Sequence, residues 1–229
     1  MSAVLDNFDL VLKAFGYTIF LFLVSAVISL LLGTLLAAMR VGPVSVLRLF
    51  GTGYVTLVRN TPLVMIFLFF QLGAGKIVDA LRFSWVDIHI GPYDFTSFFS
   101  AAVAALSLYT AAFICEAIRA GVNAVSLGQA EAARAIGLPF SGVMSQVVLP
   151  QAVRASVPPL ASTLIALLKN TSVAGVFGVI EAVGRMKGFT NDFADQRWGI
   201  FAAFALGYII LVELISAVAS LLERRWKVA

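Results

Sequence analysis

Charge is what this chain has least of. Asp, Glu, Lys and Arg make up 12% of its 229 residues and hydrophobic residues 61%, where soluble domains carry about 25% charge. Mean hydropathy is +0.99. Such a composition cannot clothe a water-facing surface; it is written for lipid. The single cysteine, Cys115, excludes an intramolecular disulfide or a cysteine metal cluster and reads as a small apolar filler in a helix. The single histidine, His89, stands alone in a loop, and a metal site needs companions that are absent. No G-x-x-x-x-G-K-[ST] run occurs, so nucleotide hydrolysis is not expected of this chain. No H-E-x-x-H, Ser/His/Asp arrangement or carboxylate pair on one helix face is visible either, so no enzyme activity is expected. The formal charge of +4 is small and lacks the clustered basic stripe of a nucleic-acid surface. Internal repeats are missing, which disfavours a carrier holding two inverted halves in one chain. The N-terminus does not read as a cleavable signal: Asp6 and Asp9 stand where a signal is basic, and the apolar run is too long.

What the chain has instead is long uncharged runs. The run 14–39, between Lys13 and Arg40, would reach about 39 Å as a helix, more than a hydrocarbon core of about 30 Å. Further spans are expected over 55–75, 95–116, 155–169 and 198–222. In the second, Thr61-Pro62 reads as a cap followed by a first-turn proline. The fourth is short and carries Pro158-Pro159, so a kink or break is expected there. The chain is thus read as one all-α, five-span membrane domain over 1–229. Between spans two and three, residues 83–90 alternate like a short strand or hairpin arm.

Residues 117–153 hold almost no spanning material. Gly128 and Gly137 punctuate two helical pieces. The alanines at 130, 132, 133 and 135 are strong helix formers that let a second backbone approach closely. Gly137 permits a sharp turn, and Pro139 suits the first turn of a second helix. That helix shows an apolar face of Phe140, Val143, Met144 and Val147 and is expected to stop at Pro150. On residue types alone it could be an ordinary helical hairpin packed on its own bundle.

The sequence Glu131-Ala132-Ala133-x3-Gly137-x9-Val147-x-Leu149-Pro150 resembles the "EAA" loop of binding-protein-dependent ABC importer permeases. Val147 departs from the common isoleucine but keeps the apolar contact. Val58-Arg59-Asn60-Thr61-Pro62-Leu63, Glu116-Ala117-Ile118-Arg119-Ala120-Gly121 and Leu168-Lys169-Asn170-Thr171-Ser172 resemble segments of the polar amino acid permeases, closest to the glutamate/glutamine type of Gram-positive actinobacteria. The resemblance implies a type I importer permease (MetI-like) architecture and an ATP-driven importer of a polar amino acid, glutamate first, then glutamine or aspartate. A carrier of cationic amino acids, or an ATPase-independent carrier or channel, is the alternative. It implies no cofactor in this chain, with ATP and Mg on a partner. The implied partners are two ABC ATPase subunits, a second permease, identical or homologous, and an extracytoplasmic amino-acid-binding protein.

By the same resemblance, 141–146 forms the coupling helix. Glu131, Ala132, Ala133, Arg134, Gly137, Ser141, Gly142, Met144 and Gln146 are the expected ATPase-coupling residues, with Arg134 able to pair with Glu131. If that loop is cytoplasmic, five spans put the N-terminus outside and the C-terminus in the cytoplasm of a bacterial cell. Lys and Arg then number nine inside and seven outside, leaning the right way. Arg59, Glu116 and Arg119 are expected at the cytoplasmic interface as anchors or locks. A lysine inside a span is costly unless wet or paired. Lys169, Asn170, Thr171 and Ser172 could therefore hold a substrate carboxylate, or Lys169 could simply reach the surface. Glu213, inside the last span, is a candidate for the pathway or for a structural pair.

Overall fold

The computed structural model describes residues 2–86 and 88–226. Lys227, one of the charges counted in the orientation reading, lies outside them. After a short helix α1 (Ser2–Asp6), α2 (Phe8–Val41) runs for 34 residues. It contains no proline, and its charges, Asp9, Lys13 and Arg40, lie near its ends. Gly42 and Pro43 stop it, with the Gly42 N–H donating to Ala38 O.

The expected second span, 55–75, is instead two helices at an angle. α3 (Ser45–Arg59) ends, and a second piece, α4 (Leu63–Leu68) continuing through a π turn into α5 (Ala74–Ile77), departs at 102°. Pro62 makes the corner. It lacks an N–H and disfavours helical backbone at Thr61, and it is itself extended at φ −58° and ψ 138°. Pro62 therefore caps α4, while the Thr61 hydroxyl turns back to donate to Leu57 O. The expected roles of the two residues shift by one position.

A 3₁₀ turn (Asp79–Arg82) then leads to a hairpin, β1 (Ile88–Ile90) against β2 (Tyr93–Phe95), antiparallel with His89 opposite Asp94. His89 Nδ1 lies 2.6 Å from Asp94 Oδ1, a bond across the two strands. The strand is shorter than the alternation of 83–90 suggests, because Phe83 takes a left-handed φ of 52° and breaks it.

α6 (Ser97–Asn123) is the central helix. Ala101, Ala102, Ala105, Ala111 and Ala112 are buried along it, which allows close approach of its neighbours α2 and α9. Its last turns extend past the expected end at 116. At Gly121 an added Cβ would lie 1.9 Å from Ser156 Oγ and 2.5 Å from Ala152 O of α9. The main apolar core joins Leu21 of α2, Phe67 of α4, Leu106 of α6, and Leu167 and Leu168 of α9.

α7 (Leu127–Ala135), α8 (Phe140–Gly142), a π turn (Val143–Val148) and α9 (Leu149–Asn170) follow. Pro150 does not end the coupling helix as expected. The widened turn before it makes room for the ring and absorbs the lost hydrogen bond, so helix continues from Phe140 to Phe177. Nor does Pro158-Pro159 break α9. Both prolines withdraw donors from Arg154 and Ala155, exposed residues near the hairpin end of the helix, where outside donors can replace them. A 3₁₀ turn (Thr171–Phe177), α10 (Ala182–Asp192), a further 3₁₀ turn (Ala194–Gln196) and α11 (Arg197–Trp226) complete the chain. Among the described residues four stretches are long and apolar enough to cross a membrane, and the total is five if the bent pair α3 with Leu63–Ile77 counts as one span.

Candidate functional site

The hairpin 127–148 is built on one turn. Gly137, at φ 89°, adopts the left-handed backbone open to glycine. The Leu138 N–H reaches Ala133 O at 3.2 Å and the Gly137 N–H reaches Arg134 O at 2.9 Å. This pair of bonds satisfies the last carbonyls of α7 and reverses the chain. Leu138 then joins Ala133, Val143 and Val148 in a small apolar cluster, with Met144 and Val147 packed against it. Ala133 and Gly142 are thus internal to the hairpin, and Met144 is half-buried. Glu131, Ala132, Arg134, Gly137, Ser141 and Gln146 remain exposed. Glu131 and Arg134 make no ion pair among the described residues. The bond tying α7 to α9 is instead from Gln151 Nε2 to Gln129 Oε1, at 2.5 Å. Phe140 is also half exposed at the tip.

Glu116 gathers a charge cluster at the same end of the bundle. It pairs with Arg40 of α2, with Arg119 one turn on at 3.3 Å, and with Arg59 of α3 at 3.7 Å. The Arg59 guanidinium also lies 5.7 Å from the Phe113 ring centre, a cation–π contact. Three helix ends thus meet on one carboxylate. Arg40 was not among the expected residues. Its place at the end of the first apolar run marked it only as a flank.

The Lys-Asn-Thr-Ser segment divides. Lys169 is exposed, and Asn170 lines a groove of about 260 Å³ with Tyr109, Thr110, Phe113, Ser162 and Thr163. Thr171 is fully buried and its hydroxyl donates to Leu168 O, while the Ser172 hydroxyl donates to Lys169 O. Glu213 is exposed on α11, apart from this groove.

Sequence reasoning passed over Glu181. It is fully buried and caps α10, accepting from Val183 N at 3.0 Å and Gly184 N at 2.9 Å. The Tyr208 hydroxyl of α11 donates to it at 2.8 Å, and the Thr18 hydroxyl of α2 lies at 3.4 Å. Burial raises its carboxyl to about 7, although these hydrogen bonds pull the other way. Capping explains the acid locally, but its partners on α2 and α11 are far away in sequence.

A bundle of bent and straight spans with a helical hairpin standing off one end defines a type of transport permease. The fold is similar, with a TM-score of 0.83 over 97% of this chain and 96% of the other, to a chain in the crystal structure of an amino acid ABC transporter with histidines, at 26% identity. It is also similar to a chain of the MetNI methionine ABC transporter in its inward-facing conformation, with a TM-score of 0.72 over 96% of this chain and 98% of the other, where 19% identity bears on the fold alone. Residues 29–228 match the binding-protein-dependent transport system inner membrane components, and the chain belongs to that family. It is 44% identical over 200 residues, 87% of this chain and 86% of the other, to the glutamate transport system permease protein GluC of Corynebacterium efficiens. It is 32% identical, over 98% of this chain and 97% of the other, to the probable glutamine ABC transporter permease protein GlnM of Bacillus subtilis. The chain is a multi-pass cell membrane protein.

Proposed function

We propose that this chain is the permease subunit of an ATP-driven ABC importer for a polar amino acid, glutamate first and, in its place, glutamine or aspartate. The observation carrying the reading is the exposed hairpin 127–148. It offers Glu131, Arg134, Ser141 and Gln146 to a second protein and is supported by its own apolar cluster. The similarity to GluC supports the substrate.

In this reading two ATPase subunits, carrying ATP and Mg, dock on the hairpins of two permeases. A binding protein delivers the amino acid at the opposite face. The hairpin end is cytoplasmic, so the N-terminus is outside. Closure of the ATPases moves the hairpins together, and the helix continuous from Phe140 to Phe177 transmits that shift into the bundle, biasing it between two states. Lys169 and Asn170 meet the substrate carboxylate along the α6/α9 groove. Ser172 stands beside them, while Thr171 holds the helix end. Glu213 faces the second permease or the pathway.

The test is uptake of labelled glutamate by the complex reconstituted in vesicles with its ATPase and binding protein. Uptake should require internal ATP and should fall together with stimulated hydrolysis in Gly137→Asp. Uptake that persists without the ATPase would instead identify a carrier.

A further inference from the structure

We propose that Arg59 receives the carboxylate of the passing amino acid at the hairpin end of the α6/α9 groove, giving up Glu116 to do so; this rests on the reading of the chain as an amino acid permease. α6 and α9 run antiparallel. Gly121 of α6 lies against Ala152 and Ser156 of α9, while Leu106 shares a core cluster with Leu167 and Leu168. Phe113 and Ser162 therefore stand at the hairpin end of the groove they line with Asn170. Asn170, beside Lys169, lies about 12 Å further along α9.

Arg59 is the last residue of α3 and touches both structures. Its guanidinium is 5.7 Å from the centre of the Phe113 ring, a wall of the groove, and 3.7 Å from Glu116. Of the three arginines on that carboxylate it is the freest to leave. Arg40 donates a hydrogen bond to Glu116, and its side chain is 10% exposed. Arg119 makes two bonds of 3.3 Å and is 31% exposed. Arg59 makes no hydrogen bond among the described residues and is 47% exposed. Its departure leaves Glu116 with two guanidiniums, so the carboxylate is not orphaned. Three guanidiniums on one carboxylate also leave two positive charges unmatched among the described residues.

The groove itself lacks a partner for a carboxylate at this end. Among the described residues its walls hold Tyr109, Thr110, Ser162, Thr163 and Asn170 and no charged side chain. The Ser162 and Thr163 hydroxyls donate to Pro158 O at 3.2 Å and Pro159 O at 2.8 Å. What they still offer a ligand is acceptor lone pairs, which suit an ammonium and not a carboxylate. An amino acid here thus finds acceptors for its ammonium on α9 and needs a donor for its carboxylate. Arg59 is the cation in contact with the wall, and its planar fork can meet two oxygens at once. A static brace would be buried and hydrogen-bonded, as Arg40 is, and Arg59 is neither.

The test uses the assembled transporter in lipid nanodiscs, with its ATPase and binding protein. Ser162→Cys in a Cys115→Ser background puts a thiol at the hairpin end, and Ala166→Cys, one turn further out, serves if that variant folds poorly. Glutamate should slow labelling of the permease thiol by a neutral maleimide. Arg59→Gln should raise the glutamate concentration for half-protection about tenfold, the worth of one charge-assisted contact, and Arg59→Lys should restore part of the loss. Glu116→Gln, which removes the competing carboxylate, should lower it. Half-protection that ignores Arg59→Gln, or that rises alike in Arg59→Gln and Glu116→Gln, would overturn the proposal. So would thiols that glutamate never protects in a complex that takes up labelled glutamate on ATP, a result that leaves the permease reading standing. Absence of ATP-driven uptake by the wild type would instead remove that reading, and the role of Arg59 with it.

Discussion

Replacing Glu181 tests the buried junction of α2, α10 and α11 directly. Alanine removes the acceptor for two backbone N–H groups and for the Tyr208 hydroxyl. The Thr18 hydroxyl can still turn to Ala14 O at 3.3 Å. A lost cap costs about 1 kcal/mol, and an orphaned buried hydroxyl about 1–3 kcal/mol more. Below pH 4.5, where the carboxyl is neutral in folded and opened states alike, Glu181→Ala should therefore lose about 3 kcal/mol; the deficit should shrink as pH rises to 7. Glutamine keeps one acceptor and discards the titration, so its signature is the pH profile. The folded carboxyl sits near 7, above its ordinary 4.5. Its contribution is fully present below pH 4.5 and falls as pH rises to 7, because the opened state ionises first. Above 7 both states are charged and the loss is constant, at roughly 3 kcal/mol. Unfolding can be followed by a thiol-reactive dye, since Cys115 is the one cysteine and is buried. The wild-type curve should fall between pH 5 and 7.5, and the Glu181→Gln curve should stay flatter. Parallel curves, or an alanine variant within 0.5 kcal/mol of wild type below pH 4.5, would refute this account of the junction.

Three further outcomes follow from the same geometry. Gly121→Val drives side-chain atoms into Ser156 and Ala152 and should cost roughly 1–3 kcal/mol in the same dye assay. Ser156→Ala should not rescue it, because the Ala152 carbonyl remains. Gly137→Ala meets no atom within 4 Å but must hold φ 89°, at about 1–2 kcal/mol. It should lower ATPase stimulation in the assembled transporter while leaving the melting of the bundle nearly unchanged. Glu116→Gln leaves three guanidiniums without their carboxylate. Hydrogen exchange should quicken at the α3–α4 corner, and the protein should lose roughly 1–3 kcal/mol, part of which Arg40→Met in the same chain recovers.

Much of the fold was open to reading before any coordinates. Long uncharged runs name their own spans, since lipid demands internally satisfied backbone over a fixed length. The hairpin was legible because its signals are local: alanines for the helix, Gly137 for the reversal, Pro139 for the restart. Other outcomes escaped for physical reasons. Pro62 announces a break, but nothing local sets an angle of 102°. Pro150 and Pro158-Pro159 look like stops, yet a widened turn and outside donors keep the helix going. Glu131 and Arg134 have the right spacing to pair, but Gln129 and Gln151, on separate helices, make the bond instead.

The sequence by itself determined that this chain is a helical protein that crosses the bilayer several times, where its hairpin stands and which family it resembles. Those properties depend on composition and on neighbours a few residues apart. Only the tertiary structure decided that Arg40, Arg59 and Arg119 share Glu116, and that Glu181 meets Thr18, 163 positions earlier. Such meetings depend on how each helix is rotated about its axis, and that rotation is chosen by the packing of all the helices at once.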